Sequence, residues 1–375
     1  MNPFTPATIA PLAQQFGTPL WIYDADTITR QIAALRLFDV VRFAQKANSN
    51  THILRLMKRQ GAVVDSVSLG EIERALAGGF TPGLHNGHAD IVFTADLLDR
   101  ATLARVVELN IPVNCGSMDM LDQLGAVNPG HPVWLRINPG FGHGHSKKTN
   151  TGGEHSKHGI WHGDLVRACE KIKSNSLTLH GLHMHIGSGV DYTHLQEVCG
   201  AMLKLVEVVN AQGLDLHAIS AGGGLSVPYQ AGEPTIDTAH YFSLWDAVRH
   251  AVEQLLEHPV KLEIEPGRYL MAESGVLVTE VRATKQQGAN HFVMVDAGFS
   301  DLVRPALYGA YHGMELIHSD GTAVNGLQFD TVVAGPLCES GDVFTQGDGG
   351  VVLHRSLPQA QVGDLLVLHD TGAYG

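Results

Sequence analysis

The chain has 375 residues, of which 44% are hydrophobic, enough apolar material for two folded domains with a sizeable core. A formal net charge of −13, from 25 Lys and Arg against 38 Asp and Glu, argues against broad capture of nucleic acid or an anionic membrane surface, while leaving room for a local anion site. The cysteines, Cys115, Cys169, Cys199 and Cys338, stand far apart with no CxxC pair, which suggests neither a zinc ribbon nor a disulfide-dense secreted scaffold and makes the cytoplasm the default location.

In chain order, the opening MNPFTPATIAPLAQQFG has no basic segment followed by a long apolar run, so neither export nor membrane insertion is expected. PLWIYD at 19–24 is strand-like. Short strands are then predicted at 40–44, 63–66, 91–93, 113–114, 133–137, 179–183, 218–220 and 261–265. Helical spacing occupies 53–59, 69–77, 96–108, 117–124, 164–172 and 241–256, and is clearest where Leu195, Val198, Met202, Leu205, Val206 and Val209 share one face. Eight short strands alternating with helices predict an α/β fold, a (β/α)8 TIM barrel rather than an open dinucleotide-binding sheet. After Gly275 the segments GVLVTEVRATKQ, HFVMVDAG, DTVVAGP, GVVLHRSL and DLLVLHDTG are strand-rich and predict a mainly β C-terminal domain. The expected division is 28–275 for the barrel, with 1–27 and 276–375 sharing the β-rich domain.

Several groups that carry chemistry fall at one end of the predicted barrel. Lys46 follows the first strand, His185 the sixth and Gly222–Gly224 the seventh, while Glu265 ends the eighth; a closed barrel gathers strand C-termini around one mouth. The Gly-rich stretch 141–159 also follows a strand end and reads as a loop facing that mouth. The pairs His143/His145 and His183/His185 have metal-like spacing but no third ligand, so no dedicated metal site is assigned. Taken singly, a GGG run is also a tight structural turn, and a lysine after a strand is also a surface charge.

Seven segments in order make the reading specific: FAQKANSN at 43–50, DSVSLGEIERAL at 65–76, GLHMHIGSG at 181–189, SAGGGLSVPY at 220–229, EIEPGRYL at 263–270, CESGD at 338–342 and DTGAYG at 370–375. Across nearly its whole length the chain resembles the alanine-racemase-like, pyridoxal 5'-phosphate (PLP)-dependent decarboxylases, and in particular the bacterial diaminopimelate decarboxylases. The resemblance implies PLP as cofactor, carried as a Schiff base on Lys46, whose amine neither arginine nor glutamine could replace. It places Gly222, Gly223 and Gly224 at the phosphate with Ser188 nearby, Gly267 and Arg268 completing that site, and Arg268 also toward substrate. It sets Glu265 against the pyridine nitrogen, His185 on the ring and Asp65 in support of the pocket, with Tyr374 near the cofactor. In the family's homodimers the CESxD segment reaches the partner's active site; Cys338 then becomes the proton donor and Glu339 the group that recognises the substrate's distal amine. Arg304 is suited to a substrate carboxylate and Tyr308 to a fixed hydrogen bond. The implied reaction converts meso-diaminopimelate to L-lysine and carbon dioxide. Decarboxylases of arginine, ornithine or carboxynorspermidine share the fold, and a noncatalytic PLP-binding protein would keep many of the same motifs. Family members usually continue several tens of residues past GAYG, so a β-rich domain cut short at its C-terminal end is expected.

Overall fold

A computed structural model describes residues 2–142, 151–185, 187 and 192–375. The elements begin with α1 (Pro6–Phe16), β1 (Leu20–Tyr23) and α2 (Ala25–Ala33). They continue as β2 (Val40–Ala44), α3 (Thr51–Arg59), β3 (Val63–Ser66), α4 (Leu69–Ala77), β4 (Ile91–Ala95), α5 (Arg100–Glu108), β5 (Val113–Cys115), α6 (Met118–Val127) and β6 (Pro132–Asn138). Then come β7 (Ile160–Trp161), α7 (Leu165–Ser174), β8 (Thr178–His183), α8 (Tyr192–Ala211), β9 (Ala218–Ser220), α9 (Thr238–Leu256), β10 (Lys261–Ile264) and α10 (Arg268–Met271). The last are β11 (Gly275–Gln287), β12 (Asn290–Val295), α11 (Arg304–Tyr308), β13 (Met314–Ile317), β14 (Gln328–Ala334), β15 (Arg355–Pro358) and β16 (Leu365–Leu368).

The chain divides into two compact units, one of Thr29–Ser226 with Ile236–Leu270, the other of Met1–Ile28, Val227–Thr235 and Met271–Gly375. In the first, parallel strands run in the order β5-β4-β3-β2-β10-β9-β8-β6, and pairing of β5 with β6 closes the ring, the (β/α)8 barrel that the alternating pattern predicts. β2 and β3 are buried along their whole length, so their polar members, Arg42 in VVRFA and Asp65 and Ser66 in VVDS, are buried with the apolar ones. Short polar residues after the strands start the next helix. Asn50, Ser68 and Asp99 each accept a backbone N–H from the first turn of α3, α4 and α5, and Asp237 does the same for α9. Inside the barrel, the buried Arg42 guanidinium forks onto Glu263 Oε2 at 2.9 and 3.0 Å, and its remaining amine donates to the carbonyls of Val64 and Ala89. Every nitrogen of this buried cation therefore has an acceptor, the condition under which such a pair is tolerable.

The second unit is mainly β, with strand order β13-β16-β11-β12-β14-β15 and β1 antiparallel on β11, Leu20 opposite Val278 and Tyr23 opposite Gly275. Period-two alternation sorts its core onto two faces. Leu277, Val281, Leu366 and Leu368 join one cluster with Val293, Val333 and Phe344; Val276, Val278, Leu365 and Val367 join another with Ile9, Ala10 and Ala13 of α1. Helix α1 is absent from the sequence reading, which saw only the strand after it. A reciprocal cap starts it, Thr5 Oγ1 accepting from Thr8 N and Thr8 Oγ1 from Thr5 N, with a proline in the first turn. No helix of the described residues is long and apolar enough to cross a membrane.

Candidate active site

The barrel's C-terminal rim is built from backbone contacts that leave little room for side chains. Lys46 lies in a single 3-10 turn directly after β2, with an exposed side chain. Two neighbours fix that turn: Ala44 N donates to Pro266 O at 3.1 Å, and the buried Gln45 amide donates to Ser66 Oγ at 2.6 Å and Glu71 O at 3.1 Å. A Cβ at Gly267 would stand 3.2 to 3.3 Å from Ala44 and Ala47, so the EPGR turn packs closely against the lysine's own turn. The triple glycine is under stricter demand. A Cβ would come within 2.2 Å of Met184 O at Gly222, 2.4 Å of Glu265 O at Gly223 and 2.2 Å of Gly187 O at Gly224, with φ at +62° and +101° for the first and last. This is a turn of backbone amides pressed onto two adjacent strand ends, the kind of concavity that binds anions.

Glu265 and His183 form the electrostatic centre. His183 Nε2 lies 3.0 Å from Glu265 Oε2, both side chains buried, and His183 Nδ1 is buried without a partner among the described residues. Burial by itself would raise the Glu265 pKa, but the charge and hydrogen bond of His183, with Lys46 and His185 adding to them, pull it down to about 2. Asp65, at the end of β3, goes the other way. Burial and then the Glu265 charge push it well above the usual carboxylate range, against the opposing pull of Thr94, Lys46 and Arg42, and neither of its oxygens has a well-formed hydrogen bond. One rim therefore carries an anionic carboxylate and one that favours its proton, a separation that assigns different tasks to like groups. Burial, then the charges of Arg136 and Lys46, hold His185 well below the usual histidine range; its Nδ1 accepts from Gly223 N at 3.2 Å, which leaves the ring proton on Nε2.

The structure thus gathers Lys46, Asp65, His185, Gly222, Gly223, Gly224, Glu265 and Gly267 on the strand ends of one unit, with Arg268 half-buried at the start of α10. Ser188 and residues 143–150 lie outside the described residues. From the rest of the Gly-rich stretch, Thr151 Oγ1 donates to His185 O at 3.0 Å, and the Asn138 side chain brackets Gly153 through two hydrogen bonds. The β-rich unit holds the others. Arg304 is buried, its Nη1 2.8 Å from His312 Nε2 and its guanidinium 4.6 Å over the Tyr229 ring, while Tyr308 is exposed at the end of α11. Cys338 and Glu339 are exposed on a turn tied down by the buried Asp342, which accepts from Phe299 N and Leu337 N at 2.7 and 2.8 Å. Tyr374 is half-buried with φ at +63°.

Three contributors escape the sequence reading. His183 appears there only as half of a metal-like pair, and nothing local pairs it with Glu265, 82 residues away. Asp342 is quoted only as the end of CESGD. Glu71 had a visible signal, the capping-box spacing Ser68-x-x-Glu71; Val67 N donates to its carboxylate at 2.7 Å, and burial raises its pKa against that bond and the Lys46 charge.

An amine, an anion at the end of the neighbouring strand, and a tight glycine turn beside them are the groups that an aldehyde, a pyridinium and a phosphate require. The family profile described as pyridoxal-dependent decarboxylase, pyridoxal binding domain, matches residues 25–272. The chain is 65% identical over 365 residues to the diaminopimelate decarboxylase of Escherichia coli, covering 97% of this chain and 86% of that protein. To that of Streptomyces coelicolor it is 62% identical over 367 residues, covering 98% and 82%. Among solved structures, a crystal structure of diaminopimelate decarboxylase at 64% identity superposes with a TM-score of 0.94, over 99% of this chain and 87% of that one. The Helicobacter pylori enzyme complexed with L-lysine, 30% identical, superposes with a TM-score of 0.86 over 97% and 89%. By fold, rim chemistry and identity over nearly its full length, the chain belongs to the pyridoxal-dependent decarboxylases, in the diaminopimelate decarboxylase family.

Proposed function

We propose that this chain removes one carboxylate from meso-2,6-diaminopimelate, releasing carbon dioxide and L-lysine, with PLP at the barrel rim. The observation that carries the chemistry is the buried Glu265–His183 pair at 3.0 Å on the rim that also bears Lys46. The rim fits the cofactor: a Cβ at any of Gly222, Gly223 or Gly224 would collide with a backbone carbonyl, so only glycine keeps this tight turn at the rim, and the Asp65 carboxyl is buried without a settled partner. When bound, PLP supplies the electron sink that loss of carbon dioxide needs. Lys46 offers the amine that holds the cofactor's aldehyde and yields it to substrate. Glu265, kept anionic, favours a proton on a ring nitrogen set against it. His185, kept neutral, offers a flat face without a competing charge. The Gly222–Gly224 turn would hold the phosphate, with Ser188, Gly267, Arg268 and Tyr374 around it, and Asp65 would support the pocket in its protonated form.

In this reading Arg304 binds the substrate's carboxylate, Tyr308 gives it a fixed hydrogen bond, Arg268 borders it and Glu339 takes the distal amine. Cys338 Sγ delivers a proton to the carbon that has lost its carboxylate. Cys338 and Glu339 serve the partner's site in a cytoplasmic homodimer. Support comes from their exposure on a pinned turn and from exposed apolar groups of the same unit, Leu337 beside them in the chain and Val303, Leu307 and Tyr308 about α11, which a partner would cover. The assay is incubation with meso-diaminopimelate, arginine, ornithine and carboxynorspermidine in parallel, resolving lysine from diamine and polyamine products. Lysine and carbon dioxide from the first alone are expected; a diamine or polyamine product without lysine overturns the substrate assignment.

A further inference from the structure

A second group of ligating side chains lies at the other end of the barrel strands. Asp215 and His217 belong to the segment leading from α8 into β9, and His258 to the one leading from α9 into β10, so all three stand at the N-terminal ends of neighbouring parallel strands. One donor atom from each, a carboxylate oxygen and two imidazole nitrogens, lies within 4.8 Å of the other two. His258 Nε2 is 2.8 Å from Asp215 Oδ1, and the His217 and His258 ring centroids are 5.6 Å apart. Zinc binds nitrogen and oxygen at about 2.0–2.2 Å in tetrahedral sites, which sets neighbouring donors roughly 3.3 Å apart. The observed spread brackets that value, so small side-chain rotations suffice to close the set.

The surroundings orient two of these donors and anchor the third. His217 is held on both sides, its N–H donating to His180 O at 2.9 Å and its carbonyl accepting from Lys261 N at 3.0 Å, so its backbone is clamped between β8 and β10. His258 Nδ1 lies 2.9 Å from Pro259 O, which fixes the ring with Nε2 turned to Asp215; Leu216 N donates to Asp215 Oδ1 at 2.8 Å. A histidine whose second nitrogen is occupied by a backbone carbonyl is the usual arrangement behind a metal-bound imidazole. We propose that Asp215, His217 and His258 form a divalent transition-metal site, with zinc as the ion that fits a donor set of two nitrogens and one oxygen. Binding replaces the proton shared by His258 Nε2 and Asp215 Oδ1 with the metal, and solvent water fills the fourth position. The site is structural. It joins the two segments that enter β9 and β10 from below, at the end of the barrel where such folds keep stability rather than chemistry.

The test uses the full chain with PLP bound, stripped with a chelator and desalted, then titrated with Co2+ followed by its absorption and by competition with Zn2+. With 22 histidines in the chain, the comparison must be with variants. The wild-type protein is expected to bind one ion per chain at least about tenfold more tightly than His217→Ala, His258→Ala or the milder Asp215→Asn. Zinc is expected to raise its unfolding midpoint by several degrees and to leave the midpoint of each variant unchanged. Equal affinity and stoichiometry in wild type and in folded Asp215→Asn, or no saturable binding by wild type, would show a plain surface ion pair and overturn the proposal.

Discussion

In the barrel, Lys46, Asp65, His185 and Glu265 come from four strand ends, and a closed ring of parallel strands delivers them to one rim regardless of their distance in sequence. In the β-rich unit, Cys338 and Glu339 are next to each other in the chain, on an exposed turn held chiefly by the buried carboxylate of Asp342, with Gln346 Nε2 donating to Gly341 O. The first arrangement is set by a closed ring of strands and tuned by charge; the second is an exposed turn set by hydrogen bonds from near neighbours in the chain. A barrel residue should thus fail through chemistry or buried charge, and a β-unit residue through positioning.

The largest expected effect is Lys46→Arg, which keeps the cation and removes the exchangeable amine: about a 10⁴-fold loss of kcat/KM with the fold intact by circular dichroism. More than a tenth of wild-type turnover in that variant would break the comparison at its root. Next comes Arg42→Met inside the barrel, which strands Glu263 as a buried anion and should cost about 3–5 kcal/mol by denaturant unfolding. Replacing both partners by well-packed apolar residues should recover most of that loss; if the single variant is as stable as wild type, the pair contributes nothing.

The β-rich unit is expected to respond more gently. Asp342→Ala should lower kcat by about 10- to 100-fold with cofactor content unchanged, and Asp342→Asn, which keeps one acceptor oxygen, should restore part of it. An equal loss of bound cofactor would mark a folding defect instead of a positioning one. The proposed cross-subunit role sharpens this further: if Cys338 serves the partner's site in a homodimer, mixing Lys46→Ala and Cys338→Ala chains should regain roughly a quarter of wild-type activity, since half the dimers are hybrids and each hybrid has one intact site. No recovery despite verified hybrids would assign Cys338 to its own chain's site.

The smallest effect is a pH dependence in the barrel's loops. Burial works against ionisation of Asp96, but the His158 and Gly159 hydrogen bonds outweigh it and lower its pKa. A carboxylate whose folded pKa is depressed adds stability that is present above its unfolded pKa, near 3.9, and is lost as pH falls through the lower folded value. Asp96→Asn should therefore cost about 1 kcal/mol at pH 7, and the gap from wild type should shrink as pH drops below about 4. A gap that stays constant across that range would place the effect in packing.

How much could be read before folding follows from the same physics. Strands such as Val40–Ala44, Val63–Ser66 and Ala218–Ser220 are legible because burial on both faces favours short β-branched and apolar clusters with no helical period, and the α8 stripe because one face meets the barrel. The ordered motifs name the rim residues, since each strand's last residues must be those that the mouth requires. Helix α1 stayed hidden because half of its apolar residues are small alanines and an internal Pro11 blurs the period; its partner, the β11–β16 sheet, lies over 250 residues away. What the tertiary structure alone decided are the pairings and the charges. His183 meets Glu265 across 82 residues, Arg42 meets Glu263 across 221, and His258 meets Asp215 across 43. Local pattern specifies which face of an element is buried, whereas a carboxylate's charge state is set by desolvation and by neighbours from other strands, and those exist only once the barrel has closed.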